Sequence, residues 1–281
     1  DIHEHTHGHT GRHTMITMKF GGTSVGDVQR LEEVVSIIRS HRARQPVVVA
    51  SAMGGVTDAL LETAQLAVRR EADRVARNVE ALRRRHLEAA LALVRDEDRR
   101  GELVRGHSLL FDELTNLYSG VSLLRELSIR SLDAIASFGE VLSCMQIAAI
   151  LNDGAVPAQY VDARTFLCTD ARFGEAAVDF VATNEGASRF LLPLARAGVV
   201  PVVTGFIGRT PDGLTTTLGR SGSDYTASIV GAALGSEEIW IWTDVDGVMT
   251  AAPRHIRGAR VLPRISYREA AEMSYFGARV I

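Results

Sequence analysis

MITMKFGGTS, residues 15–24, decides the architecture. Ile16 to Phe20 reads as a β-strand that runs directly into a glycine turn, Gly21-Gly22. Asp27 to Arg44 follows with Leu31, Val34, Val35 and Ile38 at helical spacing. The same unit then recurs. Pro46 to Ala50, PVVVA, is a β-branched run suited to a strand buried on both faces, and it too breaks at glycines, Gly54-Gly55, before helix resumes near Asp58. Strand, glycine turn, helix, twice over, is the grammar of a parallel α/β sheet.

The alternation continues to the end of the chain. Arg69 to Arg105 is dense in Arg and Glu, with Val75, Val79, Leu82 and Leu87 at helical spacing. Its interspersed signs predict a solvated helical hairpin laced with ion pairs rather than a site for an anionic partner. Leu123 to Leu151 reads as two helices meeting near Gly139. Ala158–Val161 and Val199–Thr204 read as strands, and Asn184–Ala197 as a helix closed by Gly198. Pro211-Asp212-Gly213 marks a turn between two short strands. Ser223–Leu234 is a predicted helix, Ile239–Trp242 a strand and Tyr267–Ile281 a helix. No internal repeat or linker interrupts the pattern, which predicts an α/β sandwich around a largely parallel central sheet.

Composition removes several function classes. The formal net charge of -3 over 281 residues gives no strong pull towards nucleic acid or a membrane surface. No uninterrupted apolar run approaches the roughly 20 residues that span a bilayer, and the polar, His-rich start is unlike a signal peptide. The two cysteines, Cys144 and Cys168, lack metal-type spacing and fit a reducing, cytoplasmic setting. Residues 1–14 carry His3, His5, His7, His9 and His13, a pattern able to bind nickel or zinc. We read the segment as a tag or disordered tail, place the start of the folded protein at Met15 or Met18, and exclude the segment from the fold.

In open α/β sheets, ligands sit at the carboxyl ends of the strands. Four loops predicted there are rich in Gly, Ser, Thr and charge: Lys19–Ser24, Ser51–Thr57, Thr217–Asp224 and Thr243–Gly247. Glycine lets backbone N–H groups approach an anion, and a helix start adds partial positive charge. Together the loops suggest a multiply charged ligand such as a nucleotide phosphate. The lysine precedes its glycines, so this is not a P-loop, and no Gly-x-Gly-x-x-Gly fingerprint occurs.

The order of these motifs resembles the aspartate kinases. The resemblance runs from Lys-Phe-Gly-Gly-Thr-Ser (19–24) through Ser51–Thr57, Ser-Phe-Gly-Glu (137–140), Thr-Gly-Phe-Ile-Gly (204–208), Thr-Thr-Leu-Gly-Arg-Ser-Gly-Ser-Asp-Tyr-Thr (216–226) and Trp-Thr-Asp-Val-Asp-Gly (242–247) to Glu269–Arg279. It implies the amino acid kinase fold over residues 15–281, a three-layer α/β/α sandwich. An aspartate-binding lobe would occupy about 15–200 and an ATP-binding lobe about 201–281. The implied reaction is ATP-dependent phosphorylation of the L-aspartate side-chain carboxylate, the first step towards lysine, threonine and methionine. ATP arrives with Mg2+, and the protein forms a homodimer or a higher homo-oligomer.

Residue by residue, the resemblance implies that Lys19 offsets charge on the transferring phosphoryl group, with Asp224 orienting it. Gly21, Gly22, Thr23, Ser24, Gly222 and Ser223 would surround phosphate. Arg220 would grip the substrate α-carboxylate, Glu140 its ammonium, Ser51 and Thr57 would donate hydroxyls, and Phe206 would wall the site. Thr243, Asp244, Arg254 and Arg279 would meet the nucleotide. An aspartate carboxylate is ionised near neutrality, so no general base is needed and no all-protein metal cage is expected. On residue chemistry alone, Asp224 also fits a helix N-cap.

The sequence departs from the family pattern in three places. Ala252 stands where aspartate is common, Met249 where tyrosine is frequent and Arg279 where many members have lysine. Regulatory ACT domains commonly follow in the family, and none lies within these residues. Three other readings remain open on the sequence. They are another kinase of the same fold (acetylglutamate, glutamate or uridylate), a catalytically silent ligand-binding domain, and a metal-binding protein acting through its histidines.

Overall fold

The structure, a computed structural model, describes residues 15–243, 247–252 and 255–276. Its elements run in the order β1 (Ile16–Phe20), α1 (Val28–Ser40), β2 (Pro46–Ala50), α2 (Val56–Val68), α3 (Ala72–Leu93), α4 (Glu97–Leu124), α5 (Ile129–Asp153), β3 (Ala158–Val161), α6 (Phe180–Phe190), α7 (Leu192–Arg196), β4 (Val200–Thr204), β5 (Ile207–Arg209), β6 (Thr215–Thr217), α8 (Gly222–Leu234), β7 (Glu238–Trp242) and α9 (Tyr267–Tyr275). The strands β3-β4-β2-β1-β7 form one sheet, and all its pairings are parallel. The antiparallel hairpin β5-β6 closes around the turn at Pro211-Asp212-Gly213.

Side chains alternate across the sheet with period two. Ile16, Met18, Phe20, Val48, Ala50 and Val202 face a core shared with α1 to α5. Met15, Val47, Val49 and Val203 face a second core built with α6, α7 and α8. All of β1, β2 and β4 is buried. A fully buried Val, Ile or Phe contributes about 1.5–3 kcal/mol, so these short strands hold without a polar face. Alternation also decides the chemistry: Lys19 is out of phase with Met18 and Phe20 and belongs to the α8 side.

The charged stretch forms α3 and α4. Ion pairs such as Arg74–Glu71 and Arg83–Asp112 lie outside, while Val79, Leu82, Ala89 and Leu103 pack inward. The helix expected to break near Gly139 is instead one continuous helix, α5. By length and composition α5 could cross a membrane, and most of that stretch is buried within this fold. The single helix expected over 184–197 is two, α6 and α7, joined at Leu191. Pro193 has no N–H to continue the ladder, and Asp179 caps α6 by accepting from Val181 and Ala182 N–H, which starts it before Asn184. The last helix covers Tyr267–Tyr275 behind a Ser266–Glu269 capping box; residues 277–281 of that prediction lie outside the described residues.

Candidate active site

The carboxyl ends of β1, β2 and β4 open into a cleft of about 330 Å³. Lys19, Gly22, Ser51, Thr57, Glu140, Phe206, Gly222, Ser223 and Asp224 line it, as the sequence anticipated. Ala52, Met53, Gly54, Gly55, Asp58, Gly219 and Ser221 line it too, and were not assigned roles from the sequence. Most of these sit inside the Ser51–Thr57 and Thr217–Asp224 loops, and Asp58 directly follows Thr57, so adjacency was the available signal.

Lys19 is 8% exposed at the end of β1. Its Nζ lies 2.7 Å from Asp224 Oδ1, in the first turn of α8. At that distance the ammonium and the carboxylate make a charge-assisted contact. Asp224 therefore does not cap α8. Ser221 occupies the N-cap position in a left-handed conformation, φ 57°. The pair ties the end of β1 to the first turn of α8, at the floor where an anion would enter.

The two glycine turns approach each other as backbones. A Cβ on Gly22 would lie 3.0 Å from the Ala52 carbonyl, and one on Gly54 3.2 Å from the Gly22 carbonyl. Gly21 N–H is occupied by the Trp242 carbonyl and Ser24 N–H by the Gly21 carbonyl. Gly22 and Thr23 N–H have no partner among the described residues. The starts of α2 and α8 both contribute to the lining. Two helix N-termini beside a lysine favour negative charge.

Glu140 lies opposite, on α5, and is 3% exposed. Its Oε1 accepts from Ala52 N–H at 3.3 Å, and Oε2 has no partner. Burial pushes its carboxyl up to about 8. An apolar wall with one half-satisfied acid is a receptor for a cation. Gly139 makes this placement possible, because a Cβ there would lie 2.7 Å from Ala52 Cβ. Gly139→Ala should cost about 1–3 kcal/mol by overpacking. Denaturant titration would read it as a lower midpoint at unchanged slope.

Phe206 takes φ 67°, unusual for a side chain of its size, and its N–H donates to Thr226 Oγ1 at 3.0 Å. That anchors the wall residue to α8. Ser51 and Thr57 hydroxyls make no hydrogen bond among the described residues. Arg220 is exposed between Gly219 and Ser221 at the rim, makes no ion pair among the described residues, and does not itself line the cleft. Gly21, Thr23 and Ser24 lie on the adjoining turn rather than on the lining. Thr243 follows β7 and is exposed. Asp244, Arg254 and Arg279 lie outside the described residues.

Comparison with known proteins agrees with this geometry. The model of the amino acid kinase family matches residues 14–281. The chloroplastic aspartokinase 2 of Arabidopsis thaliana is 38% identical over 279 residues, 97% of this chain and 49% of its own length. The lysine-sensitive aspartokinase 3 of Escherichia coli is 35% identical over 95% of this chain and 57% of its own. The crystal structure of E. coli aspartokinase III in complex with aspartate and ADP superposes with a TM-score of 0.85 at 35% identity, covering 95% of this chain and 57% of that one. An isopentenyl phosphate kinase, 19% identical with a TM-score of 0.53, shares the fold alone. The chain spans about half the length of the curated relatives it matches. With a match along essentially its whole described length, and the parallel sheet and glycine turns in place, the chain belongs to the amino acid kinase family.

Proposed function

We propose that this chain is the catalytic domain of an aspartate kinase, transferring the γ-phosphoryl group of ATP to the side-chain carboxylate of L-aspartate to give 4-phospho-L-aspartate and ADP. The observation that carries the reading is the pairing, in one cleft, of the Lys19–Asp224 ion pair at 2.7 Å with the buried, half-satisfied Glu140. One side suits a phosphoryl group and the other an ammonium. E. coli aspartokinase III, which binds aspartate and ADP, supports the same pair of ligands.

In this reading Glu140 holds the α-ammonium and Arg220 the α-carboxylate, by a planar two-point grip. Ser51 and Thr57 donate to the acceptor, and Phe206 excludes water. A side-chain carboxylate oxygen attacks the γ-phosphorus, the new O–P bond forms, and the bond to the bridging oxygen breaks with its electrons leaving on ADP. No proton moves from the nucleophile. Catalysis is positioning and charge neutralisation, which Lys19 supplies and Asp224 orients. Gly21–Ser24, Gly222 and Ser223 cradle phosphate, and Thr243, Asp244, Arg254 and Arg279 serve the nucleotide. Residues 15–200 would form the acceptor lobe and 201–281 the nucleotide lobe.

Among the described residues no cluster of three or more acidic, His or Cys side chains could hold a metal. Magnesium would enter on ATP and would supply neutralisation of phosphate charge, with Asp224 the residue that would meet a water bound to it. Two free cysteines, Cys144 buried and Cys168 partly so, support a reducing, cytoplasmic setting.

Acceptor identity is tested by calorimetry with magnesium and a non-hydrolysable ATP analogue. L-Aspartate should bind, whereas acetylglutamate and uridine monophosphate, which have no ammonium for Glu140, should not. Binding of either of these without binding of aspartate would assign a different acceptor.

A further inference from the structure

α5 carries a second buried carboxylate that the reaction above leaves unused. Asp133 is 3% exposed and lies two helical turns before Glu140 on the same face of α5. Its Oδ2 accepts from Gly174 N–H at 2.9 Å and from Thr217 N–H at 3.0 Å, and its Oδ1 accepts from Thr217 Oγ1 at 2.7 Å. One side chain thus joins two segments far apart in sequence. Those segments also hold each other. Ala176 N–H donates to the Thr217 carbonyl at 2.9 Å, and a Cβ on Gly219 would lie 3.3 Å from the Gly174 carbonyl.

What leaves this junction is the turn into the cleft. Leu218 N–H donates to the Phe206 carbonyl at 2.9 Å, Gly219 takes φ 75°, Ser221 takes φ 57°, and Gly222 N–H returns to the Gly219 carbonyl at 3.0 Å. A left-handed serine so close to a left-handed glycine persists only where its surroundings hold it. Arg220 sits between them, exposed and with no side-chain partner among the described residues. Its place is inherited wholly from the turn's backbone.

We propose that Asp133 is the positioning residue for the acceptor's α-carboxylate, fixing through Thr217 and Gly174 the turn from which Arg220 reaches. α5 then gauges both ends of the amino acid, the ammonium through Glu140 and the carboxylate through Asp133, about 10 Å apart along one rigid helix. The proposal rests on the reading of Arg220 as the carboxylate grip.

Asp133→Asn keeps the shape but removes the charge: its carbonyl can still accept from Gly174 and Thr217 N–H and its NH2 can donate to Thr217 Oγ1, so three charge-assisted bonds become weaker neutral ones. L-Aspartate should bind about tenfold more weakly, while 3-aminopropanoate, the same acceptor without its α-carboxylate, binds as before. In hydrogen exchange, the amides of Gly174 and of residues 217–222 should exchange about tenfold faster, with β1 and β2 unchanged. Equal weakening of both ligands, or acceleration throughout the molecule, would mean general stabilisation and overturn the proposal. If the unaltered chain binds no aspartate, the function assigned above fails, and Asp133 loses its role as a carboxylate-positioning residue with it. Local exchange then decides whether Asp133 fixes the turn at all. Should Asp133→Asn not fold, Thr217→Val removes only the hydroxyl bond. It should speed exchange at residues 217–222 about threefold, and no local change there would refute the idea.

Discussion

Lys19→Met will lower the rate of acyl phosphate formation by about 10²–10³-fold at saturating ATP and aspartate, the usual cost of removing one preorganised charge from a developing transition state. The lysine stands at the end of a fully buried strand, with its side chain 10% exposed, and faces an aspartate that is 16% exposed. No water can substitute for it freely. The substitution also strands Asp224 without its cation, which should destabilise the fold by about 3 kcal/mol. Asp224→Asn added to Lys19→Met removes the stranded charge and should restore much of that stability but none of the activity. Steady-state kinetics and denaturant titration on the single and double variants separate the two effects. If the double variant recovered activity along with stability, Lys19 would be structural.

Glu140→Gln gives the second large effect, and its size depends on pH. Losing a charge-assisted bond to the substrate ammonium costs about 1.5–3 kcal/mol, so KM for aspartate should rise about 10- to 100-fold while KM for ATP holds. The folded carboxyl lies near 8 against 4.5 for an ordinary glutamate. The free protein therefore holds Glu140 protonated at neutrality, and an arriving ammonium must displace that proton. Aspartate affinity should rise as pH climbs towards 8, with proton release seen as buffer-dependent binding enthalpy. Stability runs the other way. Below pH 4.5 the group is neutral in both folded and unfolded chains and costs nothing. Between 4.5 and 8 the unfolded chain ionises while the folded one resists, so stability falls with rising pH. Glu140→Gln is free of this, and should exceed the parent's stability by on the order of a few kcal/mol at pH 8. Equal stability of the two proteins from pH 5 to 8 would show that Glu140 is not an unpartnered buried acid.

The strands and their glycine turns were legible because each signal is local. PVVVA and MITMKFGG announce buried strands and the turns that end them. Lys19, Gly22, Ser51 and Thr57 were legible beside those turns for the same reason, whereas Ala52, Met53, Gly54 and Gly55, which also line the cleft, were given no role. Three features were not. Gly139 reads as a break in a helical run, yet it is a contact point, because what matters is Ala52, which meets it only after folding. Asp133 carries no local signal, because its partners Gly174 and Thr217 lie far along the chain. Asp224, on residue chemistry alone, satisfies the composition rules of an N-cap; the resemblance pairs it with Lys19, and the insertion of β1 beside β7 and beneath α8 is what brings the two together. Strand order is a long-range property, and a strand buried on both faces gives no periodic clue to which side carries the chemistry.

The proposed function is phosphorylation of the aspartate side chain in this cleft. Hydroxylamine traps an acyl phosphate as a hydroxamate, so the direct measurement incubates the chain with ATP, magnesium, hydroxylamine and aspartate, glutamate or acetylglutamate in turn. Under that function hydroxamate forms with aspartate alone and is lost in Lys19→Met. Hydroxamate with acetylglutamate but not aspartate, or none with any acceptor from a chain that binds ATP, would contradict it.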